Sequence, residues 1–221
     1  ELEVQVGIDW RTAGIEHARE VRDLLGGDYF VNSSNKNNTT NESKMQRLGD
    51  IIAYHNSTTV DWIGGFLQGK YTKDKINLYG MGGLSSIKYS YQDHFTVANE
   101  VVNADAISTF QVKGGIMYDV DDNVSVFANT GYVEKPPIMD NVIYYDGTVA
   151  SDPINESFIS SEAGVNFESE KFAVKVSAYN TDWKDRNLTK AVTTGQGDSG
   201  DTDVIFLKGI GQKHQGLEIE G

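Results

Sequence analysis

Apolar and polar residues alternate at period two over much of the chain. In 172–180, Phe172, Val174, Val176 and Ala178 alternate with Ala173, Lys175, Ser177 and Tyr179. In 111–118, Val112, Gly114, Ile116 and Tyr118 alternate with Gln111, Lys113, Gly115 and Met117, and in 161–167 Ala163, Val165 and Phe167 alternate with Glu162, Gly164 and Asn166. Such a run has one apolar face and one wetter face, the signature of a strand. Extended runs of this kind are expected at 1–12, 59–71, 76–90, 107–118, 124–133, 157–167, 172–185 and 204–221. At 10 to 18 residues they are long beside globular strands of about 5–6 residues, and sufficient for a tilted membrane crossing of about 9–11.

The connections fall into two alternating classes. Three are short and charged, at 72–75, 119–123 and 168–171; four are long and rich in Asn, Asp, Gly, Ser and Thr, at 13–58, 91–106, 134–156 and 186–203. Repeated loops longer than about 12–15 residues are uncommon in a compact soluble domain. A transmembrane β-barrel accounts for them, because its periplasmic turns are short and its extracellular loops long. Trp10, Trp62, Tyr71, Tyr89, Tyr91, Tyr118, Tyr132 and Trp183 lie near strand ends, where rings with a polar tip form girdles at the lipid–water boundary. One stretch breaks the pattern: Ile15, Ala18, Val21, Leu24 and Leu25 recur at helical spacing ahead of Gly26-Gly27, which predicts one short helix in the first extracellular loop. The expected fold is all-β, an antiparallel transmembrane barrel segment of about eight strands.

Composition narrows the classes further. With no cysteine the chain has no disulfide or thiolate metal site, and 23 glycines against 3 prolines suit regular, twisted strands. A net charge of -13 disfavours nucleic acid, whose phosphates need a surplus of Lys and Arg. No run of 18 apolar residues supplies a membrane-spanning helix, and no signal peptide is visible. The chain begins and ends inside strand-like runs, Glu1 to Val6 and Gly216 to Gly221, so it is expected to be a section of a longer wall.

Four segments carry a family resemblance. Val126-Phe127-Ala128-Asn129-Thr130-Gly131-Tyr132-Val133-Glu134-Lys135-Pro136-Pro137 resembles the strand of TonB-dependent receptors that reads aromatic, Ala, Asn and ends at a proline. Glu162-Ala163-Gly164-Val165-Asn166-Phe167 is similar to that family's E-x-G strand, and Val176 to Asp185 to its Y-x-T-x-W/D-x-D strand. Gly209 to Glu220, with His214, Gly216, Glu218 and Glu220, resembles its N-x-G-x₄-H-x-G-x-E-x-E strand, although Lys208-Gly209 stands where the family often has Asn. The resemblance is best over 107–221; the stretch Arg19 to Tyr29 is similar to a subgroup of larger receptors. The family's plug, its TonB-contacting segment and its C-terminal aromatic strand have no counterpart here. The resemblance implies a 22-stranded barrel around a plug, in the outer membrane of a Gram-negative cell. It implies import of an iron chelate, cobalamin or glycan with energy supplied through TonB. Implied partners are the TonB complex, acting through the plug segment, the imported ligand, and outer-membrane lipid with lipopolysaccharide; a surface lipoprotein capping the barrel is left open.

Catalysis has little support in the sequence. His17, His55, His94 and His214 are scattered outside any H-x-x-x-H or H-E-x-x-H pattern, and no G-x-S-x-G elbow occurs. No enzyme activity and no cofactor are expected. Asp198, Asp201 and Asp203 are a weak Ca²⁺ candidate, lacking the closing Glu of an EF-hand, and a solvated acidic loop is the plainer reading. Asn-x-Ser/Thr triplets in Asn-rich loops are expected by chance. Gly64-Gly65, Gly82-Gly83 and Gly114-Gly115 lie within strands, where glycine allows bends or close approach of a backbone. Candidate ligand contacts are Tyr144, Tyr145 and Asp146 on the third long loop, and Trp183 near its rim; packing of loop against loop is the competing role. Two further functions remain open at this level. A soluble β-sandwich binding module fits the mean hydropathy of -0.42, and a passive porin or adhesin would share the wall.

Overall fold

The computed structural model describes the chain except Ser34, Lys36, 96–99, Tyr145 and 195–200, and, for side chains, 189–206 and Lys208. Eight long strands form it: β1 (Leu2–Glu20), β4 (Ile51–Lys73), β5 (Ile76–Asp93), β7 (Ile107–Asp119), β8 (Val124–Lys135), β9 (Glu156–Glu168), β10 (Ala173–Thr194) and β11 (Asp201–Glu220). Each pairs antiparallel with the next, in the order β1-β4-β5-β7-β8-β9-β10-β11. Three short strands decorate the long-loop side: β2 (Phe30–Val31) pairs β3 (Met45–Gln46), and β6 (Val101–Asn103) extends the edge of β5.

Each short turn is closed by local chemistry. Between Lys73 and Ile76, Asp74 takes φ 51°, a left-handed conformation that aspartate tolerates better than most residues. The Asp121 carboxylate accepts from the Asn123 and Val124 amides at 2.8 and 2.9 Å. Asn123 Nδ2 then donates to Glu168 O at 2.7 Å, tying two neighbouring turns together.

Register places the alternating apolar residues on one face. Ile76, Tyr118, Val126, Val165, Val176 and Ile219 lie opposite one another in sequence across six strands, forming one row of a continuous belt. The belt continues through Leu2, Val4, Val6 and Ile8 of β1, and through Leu67 and Leu84. Ile8 is 84% exposed and Leu217 79%. Among the described residues no second sheet covers this face, and so large an exposed apolar surface requires an apolar environment. A sandwich would have buried it.

The opposite face is polar. Gln68 Nε2 donates to Gln5 Oε1 at 2.6 Å, and Lys175 pairs with Glu162 at 3.2 Å while lying over the Phe127 ring. On the same face four aromatic residues each stand directly across from a glycine: Phe66 and Gly7, Tyr79 and Gly115, Phe127 and Gly164, Tyr179 and Gly216. In every pair the ring occupies the space that a side chain would take at the glycine.

Two sequence expectations are corrected. Residues 13–20 are strand, continuing β1 and pairing to Glu20 opposite Ile51, so the predicted short helix is absent. Ladder hydrogen bonds to β4 satisfy this backbone, and they override a spacing pattern that no packed partner reinforces. The described residues contain one short helical element, a 3₁₀ turn at Met139–Asn141 in the third long loop. The aromatic girdle is also smaller than expected. Alternation puts Trp10, Tyr71, Tyr118 and Tyr132 on the apolar face at its two margins, but turns Trp62, Tyr89, Tyr91 and Trp183 to the polar face.

Candidate functional site

Beyond the belt, on the long-loop side, the polar face builds two clusters. The first is the buried core of the molecule. Pro136-Pro137 stops β8, and the following loop folds back against β5. Val142 and Ile143 are 1% exposed, packed with Ile87, Tyr89, Tyr91 and Ala104. Tyr89 Oη donates to Pro137 O at 2.9 Å, and burial raises the Tyr89 phenol above its ordinary range.

A small hairpin grows from this core, with Ile143 bridged to Val149 and a turn at Gly147, φ 82°. Tyr144 and Asp146 sit in that turn. Tyr144 N donates to Thr148 O, and Asp146 Oδ1 accepts from Thr148 N, both at 2.9 Å. The bonds from the Thr148 amide and side chain hold the Asp146 carboxyl below the ordinary carboxylate range. Burial, then the charges of Asp93 and Asp146, raise the Tyr91 phenol. Tyr145 lies outside the described residues.

The second cluster is centred on Glu156, 3% exposed at the start of β9. Its Oε2 accepts from Lys135 Nζ at 3.2 Å and Trp183 Nε1 at 3.0 Å, and its Oε1 from Asn187 N at 3.2 Å. Three donors from β8 and β10 compensate the cost of burying a carboxylate. The Trp183 ring packs on Phe158 with centroids 4.8 Å apart, and the Arg186 guanidinium lies over the indole at 4.4 Å from its centroid.

Trp183 and Asp146 therefore belong to different clusters: Asp146 acts on Tyr91 of β5, whereas Trp183 is tied to β8 and β9. Sequence reasoning missed Glu156, Lys135, Phe158 and Arg186. Glu156 is 27 residues from Trp183, so nothing local pairs them. Arg186 was assigned to a loop. In the Ca²⁺ candidate, Asp198 and the side chains of Asp201 and Asp203 lie outside the described residues. Among the described residues no group of three His, Asp or Glu side chains is arranged to hold a metal, and no helix is long and apolar enough to cross a membrane, which says nothing of strands.

Comparison with known structures finds the same wall. The copper transporter OprC superposes with a TM-score of 0.65 at 13% identity, over 99% of this chain and 32% of its own. The siderophore receptor PirA from Pseudomonas aeruginosa superposes with a TM-score of 0.54 at 11% identity, over 77% of this chain and 40% of its own. The chain thus spans well under half of either protein. Comparison with curated proteins gives no match. The family model described as TonB dependent receptor-like, beta-barrel matches residues 1–221. One apolar and one polar face, short turns on one side and long loops on the other, and a family match from end to end agree: the chain belongs to the TonB-dependent receptor-like β-barrel family.

Proposed function

We propose that the chain is part of an outer-membrane receptor that binds a scarce or large ligand, such as an iron chelate, cobalamin or glycan, and imports it with energy supplied through TonB. The supporting observation is the belt. Eight consecutive strands expose one continuous apolar face, with a polar, ion-paired face behind it. That is a wall between lipid and a wet interior. On this reading the wall closes with further strands to about 22 around a plug, the chain performs no catalysis, and lipid with lipopolysaccharide surrounds the belt.

The test is growth of a strain lacking the gene, across defined carbon, iron and cofactor sources. Growth should fail on one limiting source, return with the full-length gene, and fail again when TonB is removed. Normal growth on every source, or rescue that ignores TonB, would reject active import; the second result would mark a passive pore.

A further inference from the structure

Strand β10 should turn Arg186 away from the polar face. Even-numbered residues of this strand from Val174 onward lie on the apolar side, and Trp183 lies on the polar side. The ladder to β11 breaks this parity: Trp183 opposes Gln212 and Arg186 opposes Ile210, so β10 holds one residue more than its partner. The extra residue is accommodated at Asp185, φ 55°. Such bulges re-aim a side chain, and aspartate is among the residues that accept this left-handed conformation. Arg186 beyond the bulge lies over Trp183, its guanidinium carbon 4.4 Å from the ring centroid.

Among the described residues that charge has no ion-pair partner. The buried acid beside it, Glu156, is engaged by Lys135, Trp183 and Asn187. Asp182 lies on the other face, 3.7 Å from Lys213. Among the described residues Arg186, like Arg19 over Tyr54, has no carboxylate within ion-pair distance, whereas Arg11 and Arg22 are paired with Asp9 and Glu20. Among the described side chains that meet at Trp183 and Glu156, two are cationic, Lys135 and Arg186, and one is anionic, Glu156. A guanidinium held against a ring carries its N–H donors as a planar fork, the geometry that pairs two-to-two with an oxyanion.

We propose that Arg186, held on Trp183 by the bulge at Asp185, is a binding subsite for a carboxylate group of the imported ligand. The assignment rests on the transport-receptor reading and narrows its ligand to one bearing a carboxylate. Glu156 and Phe158 act as positioning residues that fix the indole on which Arg186 lies.

The experiment uses the full-length protein in detergent, with calorimetric titration of citrate, inorganic phosphate and glucose. Citrate should bind saturably and glucose should not. Arg186→Gln should weaken citrate by about tenfold or more, and Arg186→Lys, which keeps the charge and loses the fork, should recover only part of it. Lys88→Gln, remote from the cluster, should bind as the unaltered protein does, and tryptophan emission spectra would establish that the variants fold. Absence of citrate binding, or equal binding by Arg186→Gln, overturns the subsite; phosphate binding as tight as citrate overturns the carboxylate assignment. Because no TonB is involved, a negative titration beside an intact TonB-dependent growth phenotype removes the subsite alone.

Discussion

Gly164 stands directly across the ladder from Phe127, and the Phe127 ring fills the space that a side chain at 164 would need. A Cβ there would meet Phe127 Cζ at 2.7 Å and the Val176 carbonyl oxygen at 2.5 Å. Gly164→Ala should therefore destabilise the barrel by about 1–3 kcal/mol through overpacking against backbone. Gly80 has open space around it and serves as the contrast, so Gly80→Ala should be neutral or mildly stabilising. Urea unfolding of the full-length protein in detergent measures both.

The apolar belt predicts an asymmetry between adjacent residues. Leu67, 56% exposed, is near the middle of the belt on β4, and Gln68 faces the other way. Leu67→Arg should cost about 2–4 kcal/mol, as for a charge facing lipid at the midplane, and Gln68→Arg far less. Assembly of the two variants into outer membranes, followed by heat-modifiable gel mobility, compares them.

Loss of the Glu156 carboxylate should loosen the rim rather than the whole wall. Glu156→Ala strands the Trp183 Nε1 and Asn187 N donors and leaves Lys135 without its ion pair. A cost of about 1–3 kcal/mol is expected for unsatisfied buried groups. Hydrogen exchange should accelerate at the loop-side ends of β8, β9 and β10 and stay unchanged at the short turns.

Tyr89→Phe removes the hydroxyl that donates to Pro137 O and leaves the ring in place. The third loop should lose about 0.5–1.5 kcal/mol of local stability. Faster limited proteolysis within 138–150 is the readout.

The loop-side end of the β1–β4 hairpin should respond to acid. Glu16 bonds His55 Nε2 at 2.5 Å, and that bond, followed by the histidine charge, holds the carboxyl below its ordinary range. A lowered folded-state value means stabilisation present above the unfolded value and lost as pH falls through the folded one. Amide protection at the end of this hairpin should therefore drop below the ordinary carboxylate range, and Glu16→Gln should abolish that dependence. The pair is exposed, so the effect stays local.

The strands were legible wherever lipid imposed alternation. Between Phe172 and Ala178, or Val112 and Tyr118, one face must be apolar, and the sequence shows it at period two. Above the belt both faces are wet, so that constraint vanishes while the hydrogen-bonded ladder goes on. There Ile15 and Ala18 mimicked a helix although β1 runs on to Glu20, and β4 begins eight residues before the expected start at 59. Trp183 was legible as an aromatic near a strand end. Its companions were not, because Glu156 and Lys135 arrive from other strands, and the side that Arg186 occupies follows from a register shift between Trp183 and Arg186 in the ladder to β11.

Strand β4, 23 residues long, measures roughly 75 Å along its own axis at about 3.3 Å per residue, more than twice a hydrocarbon layer of about 30 Å. Its surplus rises on the loop side as continuous sheet. Above the belt, ladder bonds to β1 on one edge and β5 on the other therefore continue to fix the register of this rim, so its inner and outer faces are set by the same alternation that orders the wall below.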